Sequence, residues 1–129
     1  MNTKKIIAEK ASQWWRERIE QPNPADKNVS DSMKGVVELG TFLATPSQEN
    51  LEYFIDCLEQ RILFALENSS GEVILASKYG PDGILDEAAE EAGVHRMAFP
   101  WGVVMWITPK NVMVRNGEGA EVQTIYTID

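Results

Sequence analysis

Residues 79–107, YGPDGILDEAAEEAGVHRMAFPWGVVMWI, decide the fold, because they write a helix start, a helix stop and a buried strand in one run. Gly80-Pro81-Asp82-Gly83 sets up a turn, and the Asp82 carboxylate is placed to accept hydrogen bonds from the first free amides of a helix beginning near Gly83. Leu85, Ala88, Ala89 and Ala92 follow at i, i+3, i+4 and i+7, which puts them on one face. Most of that face is alanine, so a neighbouring element can pack close. Gly93 supplies the left-handed backbone that ends many helices, and Val94 the apolar contact that follows it. The Phe99-Pro100 step then forces an extended chain. Gly102 to Thr108 reads as a strand apolar on both faces, which predicts a central position in a sheet.

Working outward, Ile7, Ala11, Trp14, Trp15, Arg18 and Ile19 form a helical stripe from Thr3 to about Gln21, stopped by Pro22-Asn23-Pro24. Trp14 and Trp15 point about 100° apart, so burying both needs a wide contact. Residues 22–30 read as a loop, and residues 31–43 as a second helix in which Gly35 and Gly40 each cost about 1 kcal/mol against alanine. Thr45-Pro46-Ser47-Gln48 reads as a capping box with Thr45 as the cap. Leu51, Phe54, Ile55, Leu58, Ile62, Ala65 and Leu66 then make the main core helix, ended by Asn68-Ser69-Ser70-Gly71.

Val73 to Ala76 reads as a short strand, and the C-terminal strands span Gly102 to Thr108, Val112 to Arg115 and Glu121 to Ile128. Turns at Pro109-Lys110-Asn111 and Asn116-Gly117-Glu118-Gly119 join these last strands into an antiparallel meander. The expected fold is a single α+β domain in the order α-α-α-β-α-β-β-β. Its four-stranded sheet is mostly antiparallel, with helices packed on one face. Val104 and Trp106 leave the other face too apolar for open water, so either a helix or a second copy of the chain should cover it, and a homodimer is one outcome.

Composition narrows the function classes. A chain of 129 residues with 43% hydrophobic and 25% charged content fits one globular core. The net charge of −8 argues against binding nucleic acid through its phosphates. Residues 1–30 carry +2, residues 31–70 −5, residues 71–100 −4 and residues 101–129 −1, so the middle of the chain is the acidic part. No apolar run is long enough to span a bilayer, and the N-terminal residues lack the apolar stretch of a signal peptide, which predicts a cytoplasmic protein without a membrane partner. The single cysteine, Cys57, excludes an internal disulfide and reads as a small buried hydrophobe. Gly117 and Gly119 lie in a hairpin with no following helix, so they form a turn and not a phosphate loop.

The pattern Tyr79-Gly80-Pro81-Asp82, Ile84-Leu85, Ala88-Ala89, Ala92-Gly93-Val94, Phe99-Pro100-Trp101 and Met105-Trp106-Ile107 resembles small uncharacterised proteins carried on phages and conjugative elements of Gram-positive gut bacteria. That resemblance implies an intracellular accessory protein of a mobile element. It carries over no catalytic residue.

Chemistry-bearing residues are sparse. His95 is the only histidine, which excludes a multi-histidine metal site and leaves a lone base to work with carboxylates or Cys57; its plainer reading is a solvent-facing residue after a helix stop. Asp86, Glu87, Glu90 and Glu91 could share a divalent cation or imitate nucleic-acid phosphates, but the plainer reading is a solvated helix face. No metal or cofactor is therefore expected. Tyr79, His95, Phe99 and Trp101 bracket the helix and are the expected ligand or partner site. The favoured function is non-enzymatic: binding a host protein through an acidic and aromatic surface. The alternative is a small-molecule-binding domain with its pocket at those bracketing residues, and an enzyme using His95 with an acid ranks last.

Overall fold

The computed structural model describes residues 3–20, 46–68, 72–117 and 119–128. The helix expected over residues 31–43, the loop before it and the cap at Thr45 lie outside the described residues. The elements are α1 (Thr3–Glu20), α2 (Gln48–Asn68), β1 (Val73–Ser77), α3 (Ile84–Ala92), a 3-10 turn (Arg96–Ala98), β2 (Val103–Ile107), β3 (Asn111–Asn116) and β4 (Gln123–Thr127). The architecture is α+β, with a four-stranded sheet in the order β1-β2-β3-β4 and every neighbouring pair antiparallel.

The strands alternate cleanly between two environments. Val73, Leu75 and Ser77, Val103, Met105 and Ile107, and Val112 and Val114 point into the core beneath the helices. Their neighbours Ile74, Ala76, Val104, Trp106, Met113 and Arg115 occupy the opposite face, exposed or half-buried. Trp106 therefore lies on the outer face, although its place inside an apolar strand reads as core. A register shift between Val112 and Met113 explains the broken alternation of the last strand, since β4 changes phase there.

The helical layer is built on close aromatic packing. Both Trp14 and Trp15 are buried, with ring centroids 5.0 Å apart and nearly perpendicular. Phe99 bridges the layers: its ring lies 5.5 Å from Phe54 on α2 and 6.4 Å from Trp15 on α1. The wide contact that adjacent tryptophans demand is thus met partly inside the chain, while the Arg18 guanidinium covers the Trp14 ring at 4.6 Å.

Two helix caps differ in detail from the sequence reading. At α2 the cap is Ser47, whose Oγ accepts from the Asn50 amide at 3.2 Å, so Pro46 precedes the cap instead of opening the helix. At α3 the cap position is Gly83, with no side-chain hydrogen bond from Asp82; the Asp82 amide instead donates to the Ala76 carbonyl at 3.0 Å. The turn is tied to β1 through backbone, and no side chain caps the start of α3. The other end of α3 matches its reading: Gly93 is left-handed, the Val94 amide donates to the Ala89 carbonyl at 2.9 Å, and Val94 is buried.

Candidate functional site

The turn into α3 is locked by a residue that the sequence pattern does not single out. Arg96, on the 3-10 turn after the helix, reaches back so that Nη1 donates to the Pro81 carbonyl at 3.2 Å and to Asp86 Oδ1 at 3.0 Å. Its guanidinium lies over Gly80, where a Cβ would approach Arg96 Nη2 to 2.6 Å. Gly80 also holds φ +145, a conformation strained for any side chain. Gly80→Ala is expected to cost about 1–3 kcal/mol in a denaturant titration. Because the obstructing atoms are the tip of a flexible side chain, adding Arg96→Ala should recover little of it. Full recovery would show that contact, and not backbone strain, governs this position.

The aromatic residues bracketing α3 separate into two groups. Tyr79, 70% exposed, meets Trp101 edge to face at 5.7 Å, with the Lys78 ammonium 5.8 Å from the Tyr79 ring. Phe99 instead points inward and is 3% exposed, because Phe54 and Trp15 supply an aromatic environment that no surface cleft could match. His95 is exposed, and its Nδ1 accepts from the Met97 amide at 3.1 Å, so it caps the 3-10 turn. That is its hydrogen bond among the described residues. Tyr79 and Trp101 thus come together on the surface, while Phe99 faces the core and His95 serves the backbone.

The acidic residues of α3 are largely paired. Asp86 is held by Arg96, while Arg61 on α2 reaches across to Glu87 at 3.6 Å and to Glu91 at 3.0 Å. These pairs are exposed, each adding at most about 1 kcal/mol, and their effect is to fix the spacing between α2 and α3. Among the described residues, no group of histidine, cysteine, aspartate and glutamate is arranged to hold a metal ion.

Between the two helices lies a concave site of about 540 Å³, lined by Cys57, Gln60, Arg61, Phe64, Ala65, Ile84, Glu87 and Glu91. Tyr53, Cys57, Gln60, Arg61 and Phe64 recur at helical spacing, so they share one face of α2. Phe64 is 69% exposed and Tyr53 51%, so both large rings stand largely in solvent. Leu58, Ile62 and Leu66 face the core, leaving these rings on a second, outward stripe of the helix.

At the base of the groove the Cys57 thiol donates to Glu91 Oε2 at 2.8 Å. Burial, then the hydrogen bond and charge of Glu91, push this thiol up to about 11. In return the thiol hydrogen bond, and then Arg61, hold the Glu91 carboxyl below its usual range. Cys57 is thus a donor that orients a carboxylate, beyond the buried hydrophobe that its sequence position suggests. At pH 8 its reaction with an aromatic disulfide reagent should be about tenfold slower than in the denatured chain, because the loss of thiolate outweighs the gain in nucleophilicity. Equal rates in the folded and denatured protein would contradict this placement.

No family model and no curated protein sequence matches the chain. No helix among the described residues is long and apolar enough to cross a membrane.

Proposed function

We propose that this protein is a non-enzymatic binding protein that docks a segment of another protein in the groove between α2 and α3. The observation that carries the reading is Phe64, a largely exposed ring beside a concave site whose other wall bears Glu87 and Glu91. An apolar anchor beside a charged rim is the arrangement that receives an amphipathic helix. The occupant should be basic on its flanks. Arg61 offsets only part of the local acid, Glu90 adds a further exposed carboxylate, and the whole chain carries −8.

The resemblance over residues 79–107 supports placing this activity in the cytoplasm of a bacterial host, on behalf of a phage or conjugative element. The partner would then be a host protein that the element masks or recruits. Tyr79, exposed and backed by half-buried Trp101, supplies a second aromatic contact for the same partner.

The test compares capture from a host lysate by immobilised wild-type protein and by Phe64→Asp, at low and at high salt. A protein retained by the wild type, lost with Phe64→Asp and weakened by salt is the expected result. A set of captured proteins identical for the two baits would refute the groove as the docking site.

A further inference from the structure

The outer face of the sheet differs in charge from the rest of the molecule. The chain has 20 acidic residues, yet none lies in β1, β2, β3 or β4. Arg115 is the sole charged residue of those strands. Across the face, Ile74 pairs with Trp106, Trp106 with Met113, and Met113 with Thr124, giving a continuous row that is apolar over three strands. A second row sets Ala76 beside Val104 and Val104 beside Arg115. A sheet with one face on the core ordinarily presents polar side chains on the other. Here Ile74 is 55% exposed, and the tryptophan and methionine beside it are only half-buried.

We infer that this face receives a second copy of the same chain, sheet against sheet, about a two-fold axis. Charge decides between occupants. Two bodies of −8 repel wherever carboxylates meet, and the sheet face is where they can approach without bringing acids together. Isologous packing sets the Ile74, Trp106 and Met113 row against its own image, so aromatic, branched and flexible side chains can interdigitate. Arg115 lies at one end of the second row, half-buried, with its Nε buried and without a hydrogen-bond partner among the described residues. Strands about 17 Å long and four abreast at about 4.8 Å offer roughly 300 Å² of face per copy. That is well under the roughly 800 Å² per partner of a standard stable interface, so the pair is weak and reversible.

Sedimentation equilibrium over a concentration series decides the matter. Wild-type protein should pass from monomer to dimer with a midpoint on the order of 100 µM. Ile74→Glu and, separately, Met113→Glu should each shift that midpoint at least tenfold upward, because each puts a carboxylate from both copies into the apolar row that the two-fold axis brings together. Ile74 is exposed enough for its variant to keep the wild-type melting temperature, which separates lost pairing from lost folding.

A wild-type protein that stays monomeric to about ten times the expected midpoint would overturn the proposal. So would a dimer indifferent to both variants, which would point to edge-to-edge pairing. In a monomer, free oxidation of Met113 by peroxide would leave the face to an unlike partner. The α2–α3 groove is a separate surface, so either outcome leaves the lysate test unaffected.

Discussion

Replacing Phe99 with alanine will lower the free energy of unfolding by about 3–5 kcal/mol. The ring is 3% exposed and stands between Phe54 and Trp15, so its removal opens a cavity where α1, α2 and the chain entering β2 meet. The surrounding rings are anchored on two helices and cannot collapse to fill it. A ring lining a surface cleft would behave otherwise, its truncation changing stability by about 0.5 kcal/mol or less. Chemical denaturation of the variant therefore distinguishes a core role from a ligand-lining one. A small loss with an unchanged denaturant slope would contradict the packing described above.

Phe64→Asp is expected to leave stability within about 0.5 kcal/mol of wild type, because the ring is 69% exposed and contributes little to the core. Its effect on partner binding should be large, a loss of at least about 30-fold, corresponding to about 2 kcal/mol for an interfacial anchor. Two terms act together. The apolar contact is removed, and a carboxylate is added to a wall that already holds Glu87 and Glu91. Phe64→Leu should restore most of the affinity, since it returns the apolar contact without the charge. A variant as impaired as Phe64→Asp with leucine in place would show that ring shape, and not burial, sets recognition.

The fold was legible where local chemistry leaves few choices. Gly93 and Val94 define the end of α3 because a left-handed residue followed by an apolar one satisfies the last carbonyls in one way. Short β-branched and apolar runs over 73–77 and 103–107 likewise read as strands, and each forms one. Caps were less legible, because several polar residues near a helix start compete: Ser47 caps α2, and Asp82 makes no side-chain cap at α3.

The site was harder to read for a different reason. Tyr79, Phe99 and Trp101 look alike as aromatics near turns, and only tertiary packing sends Phe99 inward while leaving Tyr79 out. Trp106 lies on the outer face, which a continuous apolar strand does not reveal, because its sequence does not say whether both faces are covered. Arg61 and Arg96 act across 30 and 10 residues of sequence respectively, distances at which no periodicity signals a partner. Phe64 carried a readable signal: on α2 it falls outside the core stripe of Leu58, Ile62 and Leu66.

The central claim is that the face between α2 and α3 accepts a basic amphipathic helix, and a titration of isotope-labelled protein with a synthetic leucine–lysine helix measures it most directly. Amide shifts concentrated at residues 57–65 and 84–91, diminished by salt and by Glu87→Gln with Glu90→Gln, are the predicted result. Shifts confined to the sheet, or the same small shifts over the whole chain, would contradict it.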